Sequence, residues 1–130
     1  MKGSQMSQAP LPGEAGKADE MCSYAVDVWL DDTALLTDEA GLMALMRDAA
    51  EAGHAQVLGE SVHRFPNGAV TGVLVLSQSH LSVHTWPEYN SANFDLLTCG
   101  RLNGERIIDH LRAALDISRI NITRVLRDVQ

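Results

Sequence analysis

Between Ser77 and Glu88 the chain sets several hydroxyls, two imidazoles (His80 and His84), an indole (Trp86) and a carboxylate (Glu88), and a thiol, Cys99, follows. An imidazole titrates near neutrality and can take or give a proton. A thiol can do the same when its surroundings tune it, and a serine hydroxyl can attack a carbonyl when a base assists. Three readings of these residue types stand open. His80, His84 and Cys99 are suitable zinc ligands, but the paired spacing of a zinc motif is missing. A serine hydrolase would need its nucleophile on a Gly-flanked turn, and there is no G-x-S-x-G. The third reading is structural, with histidines satisfied in a core and Trp86-Pro87 as packing. A strand period of two places His80, Ser82 and His84 on one face, and Ser79, Leu81 and Val83 on the other, unless a bend near Ser79 breaks the parity.

The stretch must be held by its neighbours. Val70 to Leu76 reads as a strand apolar on both faces, and Ala92 to Cys99 reads as another. A polar cluster between two such strands is costly unless function requires it. Met21 to Leu30 alternates Cys22, Tyr24, Val26, Val28 and Leu30 with more polar residues, the pattern of a half-buried strand. Thr37 is the expected N-cap of a helix whose apolar face is Leu42, Leu45, Met46, Ala49 and Ala50, with Gly53 as its stop. Ala55 to Phe65 and Val70 to Ser77 form an expected hairpin around the turn Pro66-Asn67-Gly68. Asn103 is the expected cap of a second helix with Ile107, Ile108, Leu111, Ala114 and Leu115 on its apolar face. Ile117, Ile120 and Ile122 then lead a last strand, with Arg119, Arg124 and Arg127 exposed. Strand-helix-strand-strand followed by strand-strand-helix-strand implies an α+β fold. An antiparallel sheet carries two helices on one face, a two-layer sandwich.

A chain of 130 residues is one domain. Residues 1–20, with Pro10, Pro12 and no apolar run, read as a disordered tail rather than a signal peptide, leaving residues 21–130 as the folded domain. Net charge of −7 argues against a nucleic-acid partner. No stretch is long enough for a membrane span. Only Cys22 and Cys99 are present, at unrelated positions, so no disulfide framework is implied and a reducing cytoplasm is expected.

The order Ser-Gln-Ser-His-Leu-Ser-Val-His-Thr-Trp-Pro-Glu over residues 77–88, then Phe94-Asp95-Leu96-Leu97-Thr98-Cys99-Gly100, closely resembles the signature of the small prokaryotic S-adenosylmethionine decarboxylases. The resemblance extends from about residue 21 to the C-terminus and includes His63-Arg64-Phe65. Members of that family are pyruvoyl enzymes made by self-cleavage of a proenzyme. The resemblance implies that Ser79 attacks the carbonyl of Gln78, and that elimination then cuts the chain into 1–78 and 79–130. The serine remnant becomes a covalent pyruvoyl group, whose carbonyl condenses with the substrate amine and accepts the electrons left when carbon dioxide departs. It implies His84 as the base of cleavage and Cys99 as the proton donor in turnover. Phe65 matches the aromatic that stacks on adenine, and Trp86 and Glu88 fall where the signature lines the substrate site. No pyridoxal phosphate and no metal are expected. The family associates as a homodimer through its sheets and shares residues between the two sites.

Three departures from the family pattern bear on this. Gln78 stands where the family usually has Glu, Thr71 where it has a second processing serine, and Trp29-Leu30-Asp31 ends a stretch that keeps Asp27. The expected activity is decarboxylation of S-adenosylmethionine to the aminopropyl donor of spermidine synthesis. The alternatives are the same scaffold acting on ornithine or arginine, and an uncleaved regulatory paralogue.

Overall fold

Alternation in the first strand has the consequence its pattern implies. In the computed structural model, which describes residues 21–128 (the side chains of 101 and 102 excepted), Met21–Leu30 forms β1. Its even-numbered residues Cys22, Tyr24, Val26, Val28 and Leu30 are all at most 4% exposed. The expected tail over residues 1–20 lies outside the described residues. Beyond β1 come α1 (Glu39–Ala52), β2 (Val57–Arg64), β3 (Val70–Leu76), β4 (Ser79–Trp86), β5 (Ser91–Cys99), α2 (Arg101–Ala114) and β6 (Ile117–Arg127). The strands make one six-stranded sheet in the order β2-β3-β4-β5-β1-β6. Every neighbouring pair is antiparallel. β1, first in the chain, is thus inserted between β5 and β6.

Both helices lie on one face of this sheet, so the even faces of β1, β3 and β5 and the odd face of β4 supply the core. Leu42, Met43, Leu45, Met46, Ala49 and Ala50 of α1, and Ile107, Ile108, Leu111 and Leu115 from α2 and its end, close it. Burying each large aliphatic side chain contributes about 1.5–3 kcal/mol, which is what holds the layers together. Gly72 of β3 and Gly104 of α2 permit close approach. A Cβ at Gly104 would meet the Tyr24 ring at 2.5 Å, and one at Gly72 would collide with the Met43 sulfur. Thr85, fully buried on the helix side, accepts from Val70 N–H and donates to the Leu36 carbonyl, both at 2.8 Å. It thereby pins the short 3-10 turn Ala34–Thr37 beneath the sheet. Among the described residues no helix is long and apolar enough to cross a membrane.

Several expectations about boundaries are corrected. Asp38, not Thr37, caps α1: its side chain accepts from Gly41 N–H at 3.0 Å, while Thr37 is used up in the preceding 3-10 turn. Gly100, not Asn103, begins α2, because its φ of 80° turns the chain sharply out of β5 and starts the helix earlier. Ala114 is exposed at the end of α2. Arg124 is not exposed but 6% accessible: it stands directly opposite Tyr24 on the helix-facing side of β6, with Nη1 donating to Cys22 Sγ at 3.8 Å. The hairpin strands start and stop within two residues of the expected limits, and Pro66 to Gly68 is their turn.

Candidate active site

The β3–β4 connection is the shortest between two strands. Leu76 pairs with Ser79, so Ser77 and Gln78 alone form the loop. Tight two-residue loops between twisted strands commonly take a positive φ, and here Gln78 takes it, at 62°. A side chain with a Cβ pays about 1–2 kcal/mol for that conformation. The peptide joining Gln78 to Ser79 therefore leaves a strained residue. Next to it, Ser79 Oγ is buried and has no hydrogen-bond partner among the described residues. Leaving a buried hydroxyl unmatched costs about 1–3 kcal/mol.

A cavity of about 300 Å³ opens at this turn, lined by Gln78, Ser79, Thr98, Cys99, Asn103 and His54 among others. His54 follows the C-cap Gly53 in a left-handed conformation of its own (φ 62°), which aims the chain from α1 across the sheet end. Cys99 is the last residue of β5, where its thiol lies 3.0 Å from Met21 Sδ and 3.6 Å from Gln78 Oε1. Burial pushes the Cys99 thiol up from its ordinary value. At neutral pH it is a protonated thiol, able to donate.

A second group lies further along the open face, away from the helices. Thr71 pairs with His84 across β3 and β4, and Thr71 Oγ1 is 2.7 Å from His84 Nδ1. The His84 ring is met edge-on by Trp86, with centroids 4.5 Å apart, and by Phe65 at 5.9 Å. Phe65 in turn contacts His63 at 4.6 Å. Trp86 and Phe65 remain 39% and 38% exposed, apolar surface available to a ligand. Glu88 is exposed in the 3-10 turn Pro87–Tyr89, just past Trp86.

The parity expected for residues 79–84 holds, with no bend after Ser79. Leu81, Val83 and Thr85 face the helices, and His80, Ser82 and His84 face away. Ser79 and His84 accordingly point to opposite sides of β4. Five positions at about 3.3 Å each separate them by roughly 17 Å along the strand. Ser79, Gln78 and Cys99 are brought together, and so are Thr71, His84, Phe65 and Trp86, but one chain does not join the two groups. Among the described residues no three His, Cys, Asp or Glu side chains converge, so His80, His84 and Cys99 form no common ligand set.

Sequence reasoning missed His54 and Asn103 at the cavity, and Asn93. Asn93 Oδ1 accepts from Trp86 Nε1 at 2.7 Å, and its Nδ2 donates to Asp27 Oδ1 at 2.7 Å. The alternation of β5 could have put Asn93 on the open face, but its partners depend on register. Trp29, one of the departures in the first strand, carries the Arg119 guanidinium 3.6 Å above its ring.

Comparison with known proteins gives a consistent result. The curated S-adenosylmethionine decarboxylase proenzyme of Thermotoga petrophila is 38% identical over 94 residues, covering 72% of this chain and 68% of the relative. That of Methanococcus aeolicus is 35% identical over 103 residues, covering 78% and 88%. The crystal structure of the adenosylmethionine decarboxylase from Aquifex aeolicus superposes with a TM-score of 0.79 at 23% identity. It covers 88% of this chain and 95% of that one, a likeness of fold. The sequence model of the family described as S-adenosylmethionine decarboxylase matches residues 23–128, and with that span the chain belongs to the S-adenosylmethionine decarboxylase family.

Proposed function

We propose that the chain is a proenzyme that cuts itself between Gln78 and Ser79 and then decarboxylates S-adenosylmethionine, yielding the aminopropyl donor for polyamine synthesis. The observation that carries this is the turn itself: an unpartnered Ser79 Oγ, beside a left-handed Gln78, in the same cavity as a protonated thiol. These residues fit a pyruvoyl group made from Ser79, since the hydroxyl that must attack is not engaged elsewhere. Cleavage also releases the strain at Gln78.

In the first step Ser79 Oγ bonds to the Gln78 carbonyl carbon, the peptide C–N bond breaks, and the freed amine keeps the hydroxyl proton. A base then removes the Ser79 α-proton. The electron pair forms the Cα–Cβ double bond, and the Cβ–Oγ bond breaks to release the Gln78 carboxylate. Tautomerisation and attack by water expel ammonia and leave a ketone. The pyruvoyl group so formed would supply a carbonyl able to condense with the substrate amine and to take up the electron pair left by carbon dioxide. Cys99 returns a proton to the carbon that lost its carboxylate, a role suited to a thiol held protonated by burial.

The base is His84 of a second copy. For Nε2 to accept a proton, Nδ1 must carry the ring hydrogen and donate it to Thr71 Oγ1, an arrangement their 2.7 Å separation supports. Because a chain's own His84 is far from its Ser79, a second chain must supply the His84 that completes each site. Val75 and Val125 (each 50% exposed), with Phe65 and Trp86, provide apolar surface for such a homodimer. Phe65 and Trp86 would flank the adenine, and Glu88 would accept from the ribose hydroxyls. The donor thiol also implies a reducing compartment.

The intact mass of the purified protein tests the cut. Two chains, 1–78 and 79–130, with a ketone-reactive end on the second, are expected. A single uncut species after long incubation would put the regulatory-paralogue reading in its place. Release of carbon dioxide from S-adenosylmethionine, ornithine and arginine by the cut protein tests the substrate. Activity on ornithine or arginine alone would overturn that part while sparing the mechanism.

A further inference from the structure

One level across the open face is polar on every strand. The register sets His63 opposite Thr71, Thr71 opposite His84, His84 opposite Asn93, Asn93 opposite Asp27 and Asp27 opposite Asn121, a row from β2 to β6. Two links in the row are direct: Thr71 to His84, and Asn93 to Asp27. Between His84 and Asn93 the link passes through Trp86, whose indole N–H donates to Asn93 while its ring abuts His84.

The identity of residue 93 is narrowly determined by these neighbours. An indole N–H only donates, and an ionised carboxylate only accepts. A side chain joining Trp86 to Asp27 must accept from one and donate to the other, which the carboxamide of Asn does with both bonds at 2.7 Å. Asp27 therefore fixes which way the amide points, the amide fixes the indole, and the indole closes one side of the His84 ring. Thr71 takes Nδ1 and Phe65 lies across another edge, which leaves Nε2 as the nitrogen free to act.

We propose that Asn93 and Asp27 are a positioning pair. Acting through Trp86, they hold the His84 imidazole in the orientation and tautomer that its proton transfer requires. Neither residue touches the reacting atoms. This rests on the reading of His84 as the base of cleavage, so the test separates the two.

The nitrogen shifts of His84 are measured by NMR in the uncleavable Ser79→Ala chain, and the rate of self-cleavage is measured in the cleavable one. With Asn93 present, His84 should show the Nδ1–H tautomer. Asn93→Leu should leave the ring averaging between tautomers and slow cleavage by roughly ten- to a hundredfold, the scale of a misplaced catalytic group. Asn93→Asp sets two carboxylates side by side and should slow cleavage similarly. The double exchange Asn93→Asp with Asp27→Asn restores a donor facing an acceptor, and an acceptor for the indole, and should recover most of the rate. His84 shifts unchanged by Asn93→Leu would overturn the proposal, as would a double exchange no faster than Asn93→Asp alone. Because the shifts are read in a chain that cannot cut itself, they decide the role of the pair even where His84 proves not to be the base.

Discussion

Ser79 and His84 share one strand yet face opposite sides of the sheet, roughly 17 Å apart at the usual rise per residue. A proton cannot pass directly between them within one chain. The expected consequence is complementation. His84→Ala and Ser79→Ala should each remain whole when made alone. Made together, they should form mixed dimers in which the His84→Ala chain is cut, using the histidine of its partner. If co-expression leaves both chains whole on a denaturing gel, the shared-site arrangement is wrong.

Thr71 offers a sharper probe of the same imidazole. Its hydroxyl, 2.7 Å from Nδ1, is the ring nitrogen's hydrogen-bond partner, and its methyl is not. Thr71→Ser should cleave at close to the original rate. Thr71→Val, which keeps the shape and removes the oxygen, should slow cleavage about 10²-fold, within the range for disturbing a general base. Quenched time courses of the two product chains measure both.

Cys99 should separate cutting from turnover. Cys99→Ala should cleave near normally and lose about 10²–10⁴-fold in decarboxylation, as for loss of a general acid. The pH dependence follows from the sign of the thiol's shift. Burial disfavours the thiolate, so the folded pKa lies above the unfolded one, and the donor form persists through neutral pH. Turnover should fall only as pH rises through the raised value. Iodoacetamide should modify Cys99 more slowly than a free cysteine at the same mildly alkaline pH. Rapid alkylation at neutral pH would contradict the assignment.

Phe65, proposed to flank the adenine, tests the substrate reading. Stacking on a base is worth roughly 1–3 kcal/mol, so Phe65→Ala should weaken use of S-adenosylmethionine by about ten- to a hundredfold. The loss should appear in KM more than in kcat, because the ring is remote from the bond that breaks. Steady-state assay of the cut variant checks it.

What the sequence made legible was local. Alternation in β1 and the spacing of Leu42, Leu45, Met46, Ala49 and Ala50 identify the faces that are buried. The parity of residues 79–84 could likewise be read directly. Caps were less legible, because Thr37 and Asp38 are both good candidates and the choice depends on a 3-10 turn held from below by Thr85. Arg124 looked exposed because nothing in its own strand shows that Tyr24 and Cys22 lie against it. Asn93 was invisible for the same reason: Asp27 is 66 positions away in sequence and adjacent only through the register of β1 on β5.

The strand order has a further bearing on the product of the cut. Residues 1–78 carry β1, α1, β2 and β3, and residues 79–130 carry β4, β5, α2 and β6. Because β1 is threaded between β5 and β6, neither fragment holds a contiguous half of the sheet, and separating them means breaking three strand interfaces at once. The severed protein is then a non-covalent heterodimer whose unfolding is a dissociation. Its melting temperature should rise more steeply with protein concentration than that of the uncut Ser79→Ala chain, because its unfolding releases more separate chains. Self-cleavage as proposed would thereby change the molecularity of the protein's own stability.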